Sequence, residues 1–164
     1  MTTVFLALGS NLGDREAHLR RAIAELNSPD LQVKRISPVY ETAPQGFLEQ
    51  GWFLNLILEA ATTLFPVQLL QRCRRVERRL KRQREIQNGP RTIDIDVLLY
   101  GTAVVRSPAL QVPHPRYQER RFVLEPLADL APDLRDPVTR RSVREMLAGV
   151  QDQKLARTPI VICA

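Results

Sequence analysis

The segment TIDIDVLLYG, residues 92–101, constrains the fold most, because it reads as a buried β-strand that nevertheless carries two aspartates. Its apolar run, with Gly-Pro shortly before it and Gly at its end, predicts a strand inside a sheet. Residues two apart on a strand point to the same face, so Asp94 and Asp96 share one face and the apolar residues around them share the other. One face of this strand therefore packs into a core, and the other presents two carboxylates whose Cα atoms lie roughly 6.5 to 7 Å apart.

The aspartate pair has two interpretations. Carboxylates that supply only a few oxygens suit Mg²⁺, which keeps several waters and completes its shell with phosphates; without a cation the two would repel each other and one pKa would rise. Alternatively, the strand has one wet face and its aspartates are merely solvated. Strands are depleted in Asp, and Arg91, held by Gly89 and Pro90 at the strand entrance, offers a planar fork for phosphate. The segment favours magnesium–phosphate chemistry, with the solvated strand as the open alternative.

The order of elements predicts an α+β fold, a ferredoxin-like βαββαβ sandwich with an antiparallel sheet and helices packed on one face of it. We expect one domain over residues 1–164. The predicted strands are 3–8, 31–42 with an interruption or end near Pro38, 53–62 and 92–101. The predicted helices are 14–26, a second that starts at Pro66, and a last one near 142–147. Residues 122–132 predict a short strand running into a helical turn, and 158–164 a small edge strand.

Composition limits the class of partner. The formal net charge of +6, with arginines clustered in residues 72–84, 114–121 and 139–144, indicates an anionic partner such as nucleic acid, phospholipid or a small phosphorylated substrate. An RNA-binding module is the main rival, but the chain has few aromatics and no RNP-type segment. No apolar stretch approaches the roughly 20 residues of a membrane helix, and the N-terminus lacks a basic region. Cys73 and Cys163 fit free thiols in a reducing cytoplasm.

Four further features have both a functional and a structural interpretation. The turn from Gly9 to Gly13 could bind an anion or could simply cap a helix. Glu77, alone among arginines, could be a salt-bridge partner or could meet a substrate hydroxyl. His114, between two prolines, is a turn residue or a phosphate contact. Phe53 and Asn55 share a strand face; with Phe122 they could hold a flat heterocycle, although core packing is the default for two phenylalanines.

Several segments in order resemble the 6-hydroxymethyl-7,8-dihydropterin pyrophosphokinases of folate biosynthesis. These segments are ALGSNLGDR, YETAP with FLN, the run LKRQR before GPRTIDIDVLL, VPHPR and ERRFVLEPL, which together span residues 7 to about 127. The resemblance implies an enzyme with a ferredoxin-like fold that transfers diphosphate from ATP to the hydroxymethyl group of the pterin and releases AMP. It also implies two Mg²⁺ ions, with ATP as co-substrate. A regulatory ATP-binding protein without catalysis is a second rival, against which the intact aspartate pair argues.

The resemblance assigns roles residue by residue. The metal ligands would be Asp94 and Asp96. The ATP-binding residues would be Glu77, Arg82, Arg84, Arg91, Val97, Leu110, His114 and Arg120. The pterin-binding residues would be Thr42, Pro44, Gln45, Phe53, Asn55, Asp94 and Phe122. Catalysis would rest on Arg82, Arg84, Arg91, Asp94 and Asp96.

No general base is assigned, because an aspartate near the hydroxyl, or Mg²⁺ acidifying that hydroxyl, would be enough. We expect a cytoplasmic monomer that acts on small molecules, with no nucleic acid and no membrane as partner. The chain departs from the family pattern at Arg74, where glutamine is frequent, and also at Lys81, Asn88, Ala109 and Gln111.

Overall fold

The structure is a computed structural model that describes residues 1–43, 50–80 and 92–163. In these parts of the chain the strands are β1 (Thr2–Ser10), β2 (Leu31–Ile36), β3 (Tyr40–Thr42), β4 (Phe53–Thr62), β5 (Asp94–Tyr100), β6 (Val105–Arg106), β7 (Gln111–Val112) and β8 (Ala156–Arg157). The α-helices are α1 (Arg15–Leu26), α2 (Pro66–Arg79), α3 (Arg121–Leu130) and α4 (Val143–Ala148), and a 3-10 turn spans Tyr117–Glu119.

The main sheet is antiparallel and has β1 near its centre. β1 pairs with β4 from Thr2 opposite Thr62 to Ser10 opposite Leu54, and with β5 on its other side. β2 and β3 both pair with β4, and β8 pairs with β3, so the strand order is β5-β1-β4-β3-β8 with β2 also on β4. This is the predicted βαββαβ arrangement, with its second strand split in two.

The split in the second strand occurs where the sequence predicted an interruption. Ser37 and Pro38 separate β2 from β3. The Ser37 N–H donates to the Ile57 carbonyl, and the Ile57 N–H donates to the Ser37 hydroxyl oxygen, each over 2.8 Å. The serine side chain therefore keeps the β4 backbone paired across a break that the proline, which has no N–H, would otherwise leave open.

Helices α1 and α2 begin at ordinary helix-start residues. The Asp14 carboxylate accepts from the Ala17 N–H over 3.1 Å, which caps α1. Pro66 occupies the first turn of α2, where its missing N–H costs nothing. The stripe predicted for α2, namely Leu69, Cys73, Val76 and Leu80, is buried. Both helices therefore pack their apolar side on the sheet, as the spacing of their apolar residues predicted.

The helices cover both faces of the sheet, which corrects the expectation that they lie on one face. The first core joins α1 and α2 to Val4, Leu6 and Leu8 of β1. The second core joins α3 and α4 to Phe5 of β1 and Ile57 of β4 on the other face. The prediction considered only the strands and the two helices of the βαββαβ pattern and did not assign the C-terminal third of the chain to a face of the sheet. Helices α3 and α4 of that third form the second helical layer.

Two predictions for the C-terminal third are wrong. Residues 121–130 form one helix, α3, rather than a strand with a helical turn. Its run of apolar residues resembled a strand and Pro126 resembled a breaker, but Val123, Leu124 and Leu127 recur at helical spacing and are buried in the second core. The edge strand lies at Ala156–Arg157 and not within 158–163, because Pro159 cannot donate to a ladder and Ile162 packs in the first core.

Two smaller findings concern cysteines and membranes. Both cysteines are free, Cys73 buried and Cys163 exposed. Among the described residues, no helix has the length and apolar character that crossing a membrane requires.

Candidate active site

Two candidate residues, Asp94 and Asn55, lie on either side of Gly9 in one row that crosses three paired strands. Gly9 of β1 lies opposite Asp94 of β5 on one side and opposite Asn55 of β4 on the other. Residues directly opposite each other in paired strands point to the same face. Asp94 and Asn55 therefore flank Gly9 on the face of the sheet that carries the second core. A predicted metal ligand and a predicted pterin ligand therefore lie on either side of Gly9. We call the sheet surface formed by Gly9 and Ala7 the floor of the candidate site.

Small residues make this floor. A Cβ atom added to Gly9 would lie 3.0 Å from the Asn55 Oδ1 and 3.5 Å from a ring carbon of Phe53. In the next row, Ala7 lies opposite Asp96. The missing side chain of Gly9 lets the Asn55 amide and the Phe53 ring lie directly against the β1 backbone, and the small Ala7 side chain occupies the next row.

Asp94 and Asp96 share this face as predicted, whereas Ile93, Ile95 and Val97 are buried in the first core on the other side. Burial, followed by the nearby carboxylates of Asp94 and Glu77, raises the pKa of Asp96 from 3.8 to about 6. These two effects outweigh the attraction of Arg74 and Arg120. The site therefore carries more negative charge than its surroundings neutralise, a condition that a bound cation relieves.

The donor set at the aspartates is small. In the described parts of the chain, no group of three or more His, Cys, Asp or Glu side chains is arranged to hold a metal ion. Two carboxylates alone fit Mg²⁺ better than a metal that needs a full protein cage, because Mg²⁺ retains waters and takes oxygens from a phosphate substrate. The residues present therefore fit the predicted metal.

Glu77 connects helix α2 to the strand that carries the aspartates. Its side chain is buried; Oε2 accepts from the Ile95 N–H over 2.9 Å, and Oε1 accepts from Arg74 Nη1 over 2.7 Å. β5 ends the strand order, so N–H groups on its outer edge need other acceptors. The salt-bridge interpretation of Glu77 is the one seen, and its bond to the backbone between the two aspartates was not predicted.

A cavity of about 360 Å³ opens beside Asp96. It brings together the predicted ATP-binding residues Val97, Leu110 and His114. Arg74, one of the departures from the family pattern, also lines it. The other lining residues are Leu70, Ile95, Pro108, Ala109, Gln111 and Pro115. The cavity combines apolar walls with a carboxylate, a guanidinium and an imidazole, as nucleotide and cofactor sites commonly do.

His114 is held as a neutral imidazole at this cavity. Its Nδ1 accepts from the Arg116 N–H over 3.2 Å. Burial, together with the charge of Arg120, lowers the pKa of His114 from 6.5 to about 4. A neutral ring with Nδ1 as acceptor carries its proton on Nε2, so His114 can donate one hydrogen bond to a ligand at neutral pH.

Arg120 and Phe122 flank the first residue of α3. The Arg120 guanidinium carbon lies 5.6 Å from the centre of the Phe122 ring, within the range of a cation–π contact. Burial lowers the pKa of the guanidinium, while Asp96 and Asp94 act in the opposite direction. Arg120 is thus a cation within electrostatic reach of the aspartate pair, and its buried Nε makes no hydrogen bond to any of the residues that the structure describes.

Thr42, Phe53 and Asn55 form one group on β3 and β4. Thr42 lies opposite Phe53, and the Asn55 Nδ2 donates to the Thr42 Oγ1 over 2.7 Å, with both side chains buried. This bond fixes the Asn55 side chain, whose Oδ1 faces the position of a Gly9 Cβ. Phe122 begins the helix that packs on this face of the sheet.

The turn after β1 was given two interpretations, anion binding and capping of a helix, and the structure shows a capped helix start. Gly9 and Ser10 still belong to the strand, and the first turn of α1 already receives the Asp14 carboxylate. An anion at this helix start would meet that carboxylate, so the helix-cap interpretation of the turn applies.

Some candidate residues lie outside the described residues: Pro44, Gln45, Arg82, Arg84 and Arg91. Their predicted roles stay predictions. Sequence reasoning missed the floor residues Gly9 and Ala7, although strand pairing of two short apolar segments could have placed them opposite the aspartates. Asn11, in the turn after β1, donates from Nδ2 to Gln50 Oε1 and to the Gly51 carbonyl over 2.8 and 3.0 Å.

Known proteins resemble this chain over most of its length. The chain matches the family model described as 7,8-dihydro-6-hydroxymethylpterin-pyrophosphokinase (HPPK) over residues 5–132. It is 44% identical over 158 residues to the 2-amino-4-hydroxy-6-hydroxymethyldihydropteridine pyrophosphokinase of Methylorubrum extorquens, covering 96% of this chain and 99% of that one. It is 43% identical over 145 residues to the protein of the same name from Aquifex aeolicus, covering 88% and 90%.

Solved structures show the same fold. The chain superimposes on the crystal structure of wild-type Plasmodium falciparum HPPK-DHPS with pteroate at a TM-score of 0.71 and 16% identity, over 90% of this chain. It spans 42% of that longer chain, and 43% of another HPPK-DHPS chain solved in complex with substrates. With the family model matching most of its length and relatives above 40% identity, the chain belongs to the 7,8-dihydro-6-hydroxymethylpterin-pyrophosphokinase family.

Proposed function

We propose that the floor over Gly9 is where ATP and the pterin meet, with phosphates on the Asp94 side and the pterin ring on the Asn55 side. The reaction of the family is pyrophosphoryl transfer to hydroxymethyldihydropterin in folate biosynthesis. In this chain, diphosphate would pass from ATP to the hydroxymethyl oxygen, with AMP leaving. The observation that carries the proposal is the row Asp94, Gly9 and Asn55, which sets a carboxylate and an amide on either side of one glycine on the same face of the sheet.

On the phosphate side, we infer that Asp94 and Asp96 hold Mg²⁺, two ions being expected. When bound, Mg²⁺ neutralises charge on the triphosphate and orients it. The support is the raised pKa of Asp96, which burial and then the nearby carboxylates of Asp94 and Glu77 cause, and the small donor set, which suits a metal that shares its shell with phosphate oxygens.

We assign ATP to the cavity beside Asp96. Val97 and Leu110 would contact the nucleoside, the neutral His114 would donate from Nε2, and Arg120 would bind phosphate. Glu77 belongs to this site as the residue that fixes the Ile95 backbone, so its effect on ATP would be exerted through β5. Arg82, Arg84 and Arg91 would add the remaining cations that a tetra-anionic substrate requires.

We assign the pterin ring to the group of Thr42, Phe53 and Asn55, with Phe122 from α3. Asn55 would read the edge of the heterocycle through Oδ1, since its Nδ2 already donates to Thr42. The aromatic rings would contact the flat faces of the heterocycle. Pro44 and Gln45 would contribute from the segment that follows β3, and Asp94 would face the hydroxymethyl group.

The chemistry asks mainly for positioning and charge neutralisation. The hydroxymethyl oxygen forms a bond to the β-phosphorus of ATP, the bond from that phosphorus to the oxygen shared with the α-phosphorus breaks, and this oxygen leaves with AMP. The hydroxyl proton passes to an aspartate at the site or to water. The arginines hold the triphosphate in line, and the floor of small residues lets the two substrates approach closely.

Product analysis tests this proposal. The purified protein is incubated with ATP, Mg²⁺ and 6-hydroxymethyl-7,8-dihydropterin, with a control that lacks pterin. We expect AMP and pterin diphosphate in equal amounts, only with Mg²⁺, and no turnover by Asp96→Asn. Asp133→Asn, at an exposed aspartate in the turn after α3, is the matched control and should retain activity. ADP as product, or Mg²⁺-independent turnover, would contradict the proposal.

We further infer that the protein acts in the cytoplasm as a single-domain monomer and does not bind nucleic acid. The inference about nucleic acid is supported by ion pairs within the protein that engage arginines of the basic helix α2: Arg72 with Asp30 over 2.9 Å, Arg74 with Glu77 over 2.7 Å and Arg79 with Glu25 over 3.2 Å. Light scattering after gel filtration would give the molecular mass in solution. The affinity for RNA would be measured at several salt concentrations, with and without Mg²⁺. Binding whose affinity falls steeply as salt rises would contradict the inference about nucleic acid.

A further inference from the structure

The segment that follows α4 contacts two separate parts of the molecule near the candidate site. Residues 151–153 lie against the start of α3, and β8 pairs with β3. The start of α3 carries Arg120 and Phe122, and β3 ends at Thr42. One short stretch of chain therefore contacts the elements that carry two sides of the site. Neither the family motifs nor the aspartate pair explains this stretch.

The Gln153 side chain bonds the backbone on both sides of Arg120. Its Oε1 accepts from the Arg121 N–H over 2.9 Å, and its Nε2 donates to the Glu119 carbonyl over 2.7 Å. Arg120, the N-cap residue of α3, makes no side-chain cap hydrogen bond. The first N–H groups of a helix need acceptors from outside it. Gln153 supplies one of them, from a position 32 residues away in the sequence.

The Arg121 side chain also bonds the C-terminal segment. Its Nη1 donates to the backbone carbonyl of Gln153 over 2.7 Å and to that of Gln151 over 3.3 Å, and its Nη2 pairs with Glu125 over 3.2 Å. The helix start and the C-terminal segment are therefore bonded in both directions. Such reciprocal bonding leaves the backbone of Arg120 little freedom to rotate.

The other end of the same segment holds β3. Ala156 and Arg157 lie opposite Glu41 and Tyr40. Both the N–H and the hydroxyl of Thr158 donate to the Val39 carbonyl, each over 2.9 Å. The pairing stops just before Thr42. The segment thus ties the strand that leads to the Thr42–Asn55 group to the helix that carries Phe122.

We propose that Gln153 is a positioning residue for the transfer reaction: by holding the Glu119 carbonyl and the Arg121 N–H, it sets the directions of the Arg120 and Phe122 side chains. It touches neither substrate, and its effect is exerted through those two residues. This inference rests on the proposed function, which assigns Arg120 to ATP phosphate and Phe122 to the pterin ring. Loss of the Gln153 amide therefore weakens binding of both substrates.

The test compares three variants of the full-length protein. Gln153→Met removes both hydrogen bonds at nearly constant size, and Gln153→Glu keeps the acceptor for the Arg121 N–H but loses the donor. Gln151→Met is the matched control, because the Gln151 side chain, in the same exposed segment, donates to the Leu147 carbonyl and makes no other hydrogen bond within the described parts of the chain. Steady-state rates are measured against ATP and against the pterin separately, together with the thermal midpoint.

We expect Gln153→Met to raise both KM values about tenfold, with kcat changed by less than about threefold. Gln153→Glu should lie between this variant and the wild type, and Gln151→Met should stay within about twofold of the wild type for each constant. A second readout is amide hydrogen exchange of the peptide that contains residues 120–124. It should become faster in Gln153→Met and stay unchanged in Gln151→Met.

Unchanged KM values in Gln153→Met, or equal effects of Gln151→Met, would overturn the inference. So would a loss of kcat and thermal midpoint with both KM values unchanged, because that pattern marks a purely structural residue. If Gln153→Met does not fold, the same comparison of KM values is made with Gln153→Glu. A wild-type protein that forms no pterin diphosphate would refute the proposed function itself, whereas the exchange experiment would still report whether Gln153 orders the start of α3.

Discussion

The buried Glu77 Oε2 accepts a hydrogen bond of 2.9 Å from the N–H of Ile95, the residue between Asp94 and Asp96. This bond fixes the backbone from which both carboxylates project. Glu77 also raises the pKa of Asp96, after burial and Asp94. One side chain of α2 therefore holds the backbone of the candidate metal site and adds to the negative charge around Asp96.

Removing this carboxylate should cost stability and activity together. In Glu77→Ala the buried Ile95 N–H loses its acceptor, which should lower the free energy of unfolding by about 1–3 kcal/mol. Turnover should fall as well, because β5 is no longer fixed beside the nucleotide cavity. Urea unfolding followed by steady-state assays would measure both. Glu59→Ala is the control: Glu59 pairs with a half-exposed Arg35, so its loss should cost less than about 1 kcal/mol.

Asp96→Asn should make the metal-free protein more stable while abolishing turnover. The folded-state pKa of about 6 lies above the ordinary 3.8, so the folded protein binds more protons than the unfolded chain between these values. Ionised Asp96 therefore opposes folding as pH rises through this window, and the penalty is complete at neutral pH. In EDTA at neutral pH, Asp96→Asn should raise the thermal midpoint by about 2 to 5 °C.

The same variant should lose its response to metal. Adding Mg²⁺ with an ATP analogue should raise the midpoint of the wild type and leave Asp96→Asn nearly unchanged, because ligands stabilise the state that binds them. A lower midpoint for Asp96→Asn in EDTA would show that Asp96 is compensated within the protein and would contradict the electrostatic argument.

Sequence patterns predicted the buried face of an element correctly where its apolar residues recur at the regular spacing of a strand or a helix. The alternation in TIDIDVLLYG predicted which face Asp94 and Asp96 share, and the stripe from Leu69 to Leu80 predicted the buried side of α2. They failed where tertiary packing decides. The residues of α3 read locally as a strand with a breaker, and only the second core makes a helix the better way to bury Val123 and Leu127.

Long-range hydrogen bonds were likewise beyond the reach of the sequence. Glu77 and Ile95 are 18 residues apart, and Gln153 and Arg121 are 32 apart. Neither bond follows from a period or a turn signature. The row through Gly9 has a different cause, because it depends on the register of β1 against two strands at once. The pattern of one strand shows which of its side chains share a face, and the residues opposite them follow only when the patterns of the neighbouring strands are aligned with it.

His114 should remain neutral over the physiological pH range. Burial and the positive charge of Arg120 lower its pKa from 6.5 to about 4. Between these values the unfolded chain binds more protons, so this group makes folding stability fall as pH is lowered from about 6.5 to about 4. Proton NMR of the two histidines would check this, with His114→Gln to identify the resonance. A midpoint near 6.5 for His114 would contradict the neutral-donor role.

Gly9→Ala should weaken binding of the pterin more than binding of ATP. The added methyl group would lie 3.0 Å from the Asn55 Oδ1 and 3.5 Å from Phe53, so Asn55 must shift by a few tenths of an ångström. Asn55 is bonded to Thr42 and cannot move freely. We expect the KM for the pterin to rise about tenfold, with the KM for ATP within about twofold of the wild type.

Gly149→Ala is the matched control, since its methyl group would make an ordinary contact of 3.5 Å with the Met146 carbonyl and should leave both constants unchanged. A Gly9→Ala enzyme with an unaltered KM for the pterin would show that Asn55 and the floor lie away from the bound ring, and would move the pterin off the Asn55 side of the site.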